Sequence, residues 1–146
     1  MIPRMKSLNE KTQRNILTAY LIDSVENIGE DIVIPLNGYR RIGEKLKLQN
    51  NSIIIGSGVS HVRISANVFA VQPSYSQTYT WFSIRKNNVE YAISIASPNS
   101  NYTSVVLSEK LIDVSEGDVI DLFKKDGNIS TIRGGANTWL TVECVD

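Results

Sequence analysis

The stretch GVSHVRISANVFAV, residues 58–71, decides how this chain reads. From Val62 onward every second residue is small or apolar: Val62, Ile64, Ala66, Val68 and Ala70. A period of two marks a β-strand with one face turned to a core. The intervening residues are Arg63, Ser65, Asn67, Phe69 and Val71. A solvent face does not ordinarily end in phenylalanine and valine, so this strand predicts a second burial partner for its outer side.

The same texture extends in both directions. Short apolar or alternating runs recur at roughly ten-residue spacing, as in a sandwich or barrel. They are TAYLI, DIVIPL, EKLKLQ, SIIIG, HVRISANVFAV, YTWFSIRK, VEYAISIA, TSVVLSEKLIDV, DVIDLFKK, STIRG and TWLTVECV. Turn residues separate them: Asn37-Gly38, Asn50-Asn51, Asn87-Asn88, Pro98-Asn99, Gly117-Asp118 and Asp126-Gly127. Asn and Gly tolerate positive φ, which tight hairpins require. No long helical period follows residue 30, and no heptad seam or repeat is visible.

Residues 1–17 differ. The segment is polar, with Ser7 and Glu10 spaced for a helix cap. It reads either as a tail or as an arm that attaches the domain to something larger. The expected organisation is therefore an arm over 1–17 and an all-β antiparallel sandwich over 18–146.

With 146 residues the chain has the size of one domain, and 42% hydrophobic residues suffice for a core. Lys plus Arg and Asp plus Glu balance at 15 each, which gives no broad drive toward nucleic acid or anionic membrane. Cys144 is the single cysteine, so no intrachain disulfide forms. The first residues lack an apolar signal core and no run is long enough to span a bilayer. The expectation is a soluble chain that folds where it is made.

Two further strands repeat the opening pattern. In DVIDLF, Ile120 and Leu122 share one face, while Val119, Asp121 and Phe123 share the other. In NTWLTVECV, Leu140, Val142 and Cys144 oppose Trp139, Thr141, Glu143 and Val145. Phe or Trp on a second face is worth roughly 1.5–3 kcal/mol when buried, which points to subunit packing.

The ordered segments VRISANVFA, FSIRKNNVEYAIS, VLSEKLIDVSEGDVIDLF and NTWLTVECVD resemble the tumour-necrosis-factor-like jelly roll of complement globular heads. The segment KLKLQNNSIIIGSGVSHVRISANV is similar to an opening found in small structural proteins of Gram-positive phages. The resemblance implies a homotrimeric jelly roll, with Phe69, Phe123, Trp139 and Thr141 near the threefold axis. It also implies a virion location, assembled in the host cytoplasm, in which the chain decorates a capsid or forms a short head or tail appendage. Ile2, Pro3, Arg4, Met5 and Leu8 of the arm would then contact a capsid or tail protein. These heads often sit on a collagen-like or coiled-coil stalk, and the present sequence contains none.

No catalytic constellation is visible. A nucleophile pair would need His61 beside Cys144, and Cys144 reads instead as a buried, inert thiol. Asp113, Glu116 and Asp118 read as a solvated turn, without calcium-loop spacing. Arg40, Arg41, Lys45, Lys47, Lys124 and Lys125 read as solvated strand edges. No enzyme activity, metal or cofactor is expected. An alternative function is adhesion to host-surface glycan, carried by Tyr75, Tyr79, Trp81 and Tyr102, because aromatic rings stack on sugars.

Overall fold

The computed structural model describes residues 14–71, 79–96, 102–127 and 129–145. Among these residues twelve strands run in chain order: β1 (Ile16–Tyr20), β2 (Ile32–Val33), β3 (Gly38–Ile42), β4 (Leu46–Gln49), β5 (Ser52–Ile55), β6 (His61–Val71), β7 (Thr80–Lys86), β8 (Val89–Ala96), β9 (Tyr102–Asp113), β10 (Val119–Lys124), β11 (Thr131–Ile132) and β12 (Trp139–Cys144). A 3₁₀ turn, Gly135–Asn137, precedes β12. The strands form two six-stranded antiparallel sheets packed as a jelly-roll sandwich. Sheet A holds β3, β1, β12, β11, β6 and β9; sheet B holds β4, β5, β10, β2, β7 and β8.

The alternation in the opening stretch becomes burial. Val62, Ile64, Ala66, Val68 and Ala70 are fully buried and point between the sheets. Leu17 and Ala19 of β1, Leu140 and Val142 of β12, Phe82 and Ile84 of β7, and Ile120 and Leu122 of β10 join them in one core. Two hairpins close as their sequences require. Asn50 and Asn51, at φ 51° and 64°, join β4 to β5, and Asn87 and Asn88, at φ 50° and 68°, join β7 to β8. Positive φ at both central residues matches the strand twist, and asparagine adopts it at low cost.

Three sequence expectations change. β1 starts at Ile16, so residues 16 and 17 belong to the sheet rather than to the arm. GYRRI forms a strand, β3, where an Asn37-Gly38 turn was expected. As a margin of sheet A its side chains are largely exposed, so it carries no apolar alternation to read. Lys124 is not on a solvated edge but fully buried at one end of the core. Its Nζ donates to the carbonyl oxygen of Gly29 at 2.9 Å and of Gly127 at 3.4 Å, tying the loop before β2 to the turn after β10. Burial holds its pKa below the usual lysine value, although the charges of Glu30, Asp126 and Asp31 act the other way.

Replacing Lys124 removes both hydrogen bonds and opens a cavity. Lys124→Ala is expected to cost about 2–5 kcal/mol in urea unfolding. A loss below about 0.5 kcal/mol would show that the loops hold without it.

Candidate functional site

Across the outer face of sheet A, strand pairing places side chains in rows. The first row is Gly38, Tyr20, Trp139, Asn67 and Val106; the second is Arg40, Thr18, Thr141 and Ser65. The third is Ile42, Ile16, Glu143, Arg63 and Leu111. A β-bulge in β9 opposite Ser65 shifts the register there and brings Glu109 to 3.2 Å from Arg63.

Part of this face is a depression of about 390 Å³ lined by Thr18, Tyr20, Arg40, Gly135, Ala136 and Trp139. Gly38 makes it possible. A Cβ at position 38 would lie 2.5 Å from Cε2 and 2.7 Å from Cζ of Tyr20, so the tyrosine ring packs directly against the bare backbone. The 3₁₀ turn supplies one rim. Gly135 N–H donates to Leu21 O at 2.7 Å, and Thr138 Oγ1 donates to Arg133 O at 2.6 Å. Asn67 fastens the same turn through Nδ2 to Asn137 O at 2.6 Å, and its Oδ1 accepts from Ser104 Oγ. Beside the aromatic row, the Thr18 and Thr141 hydroxyls lie 2.8 Å apart.

The other half of the face is apolar and open. Phe69 is half-buried, with its ring 6.4 Å from that of Tyr102. Tyr102, Val106 and Leu111 of β9 are 59%, 62% and 57% exposed.

Phe69, Trp139 and Thr141 therefore share one outer face, because β12 pairs with β6. Phe123 does not. It lies on the outer face of sheet B, opposite Ser83, and the Arg85 guanidinium sits 3.7 Å above its ring while bonding both oxygens of Asp121. Its cover comes from its own chain, and the sandwich thickness separates it from the other three. The proposed aromatic set also divides. Tyr79, just before β7, and Trp81 in β7 of sheet B are exposed, whereas Tyr102 is in sheet A. Tyr75 lies outside the described residues, as do Ile2, Pro3, Arg4, Met5 and Leu8.

His61 pairs with Asp113, Nε2 to Oδ1 at 3.1 Å, at the exposed start of β6. Cys144 is partly buried against the core, next to Val62 rather than on the face of His61, so alternation separates the two. Asp118 is a structural clasp. Its carboxylate accepts from Asn87 Nδ2 at 2.9 Å and from Ser115 N–H at 2.8 Å. Burial raises its pKa, but these bonds and the Lys86 charge outweigh burial and leave it below the usual value. Among the described residues, no group of three or more His, Cys, Asp or Glu could hold a metal. No helix among them is long and apolar enough to cross a membrane.

No protein-family model matches the chain, and no curated protein matches it significantly. Solved structures do. Murine APRIL at pH 5.0 superposes with a TM-score of 0.66 at 14% identity, covering 90% of this chain and 99% of that one. Eiger TNF from S. frugiperda gives 0.67 at 8% identity, covering 91% and 92%. At such identities the likeness concerns the fold, which is the tumour-necrosis-factor-like jelly roll.

Two outcomes follow from this geometry. Gly38→Ala should destabilise the wild type by about 1–3 kcal/mol, and by clearly less in a Tyr20→Ala background. Equal losses in both backgrounds would disprove the ring-over-glycine packing. For Asp118, a depressed folded pKa contributes stability that is complete above the unfolded value and fades as pH falls through the folded one. Asp118→Asn should therefore flatten the acid side of a stability–pH curve below about pH 4. An unchanged slope would count against the clasp.

Proposed function

We propose that this chain is a non-enzymatic assembly module that works as a homotrimer, with the outer face of sheet A as the contact between copies. One observation carries the proposal: Phe69 and Trp139 are only partly covered there, and the neighbouring β9 presents Tyr102, Val106 and Leu111 to solvent. An isolated sandwich normally solvates such a face with polar side chains. Covering it with a second copy removes apolar surface from water at roughly 25 cal/mol per Å². The two sides of the face differ, one aromatic and polar, the other aliphatic. A contact between unlike patches is heterologous and closes into a ring when the rotation suits, which agrees with threefold symmetry.

The narrower reading is a virion structural protein, held to a capsid or tail by its first residues. Support for it is the sequence resemblance of residues 45–68 to phage structural proteins. Three converging arms would bind through avidity, even where each alone is weak. Because β1 begins at Ile16, the deletion that tests the arm is residues 1–13.

Light scattering on a sizing column should return about three times 16.3 kDa. Val106→Glu, on an exposed site, should lower the mass to that of one chain while circular dichroism stays unchanged, because a charge is costly to bury in a contact. A wild-type monomer would end the trimer reading. Deleting residues 1–13 should abolish particle binding and leave the oligomer intact; retained binding would remove the arm from the mechanism.

A further inference from the structure

We infer that the corner formed by Arg41, Lys45 and Lys47, beside which residues 1–13 join the sandwich, docks on an acidic protein surface. The inference rests on the reading of those first residues as an attachment arm, and it names the chemistry of the partner they reach.

The corner is the turn between β3 and β4, the margins of the two sheets. Leu46 is buried, so Lys45 and Lys47 on either side of it take the outer side of sheet B. Gly56 N–H donates to Lys45 O at 2.7 Å, and Lys47 stands opposite Ile54, so pairing with β5 fixes both positions. Arg41 bridges the two margins. It stands opposite Leu17 in sheet A, and its Nη1 donates to Leu46 O of sheet B at 3.3 Å. The incoming chain is held against the same turn. Asn15 Oδ1 accepts from Lys45 N–H at 3.2 Å, and a Cβ at Gly43 would collide with the Asn15 side chain. A partner gripped by the residues just before Arg14 therefore meets this corner.

Charge sets the chemistry of that partner. Arg14, Arg63, Arg85 and Lys125 are paired with Glu143, Glu109, Asp121 and Glu90. Lys86, Lys110 and Lys124 each donate to a backbone carbonyl. Arg41, Lys45 and Lys47 are exposed and make no ion pair among the described residues. Arg40, beside them in sequence, lines the depression on the assembly face and is set apart from the corner. Residues 1–13 carry Arg4, Lys6 and Lys11 against Glu10 alone. Arm and corner thus have the same sign, so neither neutralises the other, and carboxylates on a partner complement both. One lysine on a margin would only deter edge pairing. Three cations around the turn where the arm enters do more, because attachment brings them to the partner at high effective concentration. A nucleic acid fits less well. The chain's charges balance overall, and cations gathered at one turn form no track along a phosphate backbone.

The experiment titrates the full chain with poly-L-glutamate and with double-stranded DNA of equal total charge, by calorimetry at low and at physiological salt. The expected result is saturable binding of polyglutamate, tighter than that of DNA, which weakens as salt screens the charges. Lys45→Glu combined with Lys47→Glu should raise the Kd about tenfold or more, a factor that corresponds to about 1.4 kcal/mol, with circular dichroism unchanged. Lys45→Gln combined with Lys47→Gln should fall between that variant and the wild type. Tighter binding of DNA would overturn the inference in favour of a nucleic-acid partner. Absence of polyglutamate binding would overturn it, as would a Kd unmoved by the charge reversal. Particle binding lost on deleting residues 1–13, in a chain that ignores polyglutamate, sinks this inference and keeps the arm. Particle binding retained after that deletion, with polyglutamate still held through Lys45 and Lys47, sinks the arm and keeps the corner.

Discussion

Everything in this fold depends on β6 having two committed faces. It pairs with β9 along one side and with β12 and β11 along the other, so it fixes the register of most of sheet A. Its inner residues are small enough, at Ala66 and Ala70, and branched enough, at Val62, Ile64 and Val68, to let sheet B approach closely. A slip of one residue would drive Arg63 and Asn67 into the core and expose five buried side chains. That penalty makes the register unique. It also delivers the outer rows of Tyr20, Trp139, Thr18, Thr141 and Arg40 without a separate device.

Charged groups secure what the apolar core cannot reach. Lys124 closes one end of the sandwich by binding two carbonyls from different connections. Arg85 and Asp121 form a two-pronged pair on the outside of sheet B, and the guanidinium shields Phe123. Each removes charge from water, a cost that the hydrogen bonds at each site offset. The two sheets therefore differ on their outer sides. Sheet B covers Phe123 from within, and sheet A leaves Phe69 and Trp139 only partly covered.

Much of this was legible in the sequence. Alternation located β6, β10 and β12 and assigned their faces, because a two-residue period translates directly into sidedness. Asn-Asn pairs marked two hairpins, because few residues accept positive φ twice in succession. What escaped was non-local. GYRRI carries no alternation because β3 is a margin with exposed side chains, yet it supplies Arg40 to the depression and Gly38 against the Tyr20 ring. Lys124 looked like a solvated neighbour of Lys125, since nothing nearby announces that Gly29 is its partner. Phe123 was grouped with Phe69 because alternation says which residues share a strand face but not which sheet the strand joins.

The sequence by itself determined the class of fold, the strands with buried inner faces and the presence of unsatisfied aromatics on outer ones. These follow from local periodicity and from turn residues, which act over a few positions. Tertiary structure alone decided which aromatics share a surface, that Gly38 leaves room for the Tyr20 ring, and that Arg40 lines the same depression. Those facts depend on residues far apart in the chain, brought together by strand pairing, and no local pattern encodes such a distance.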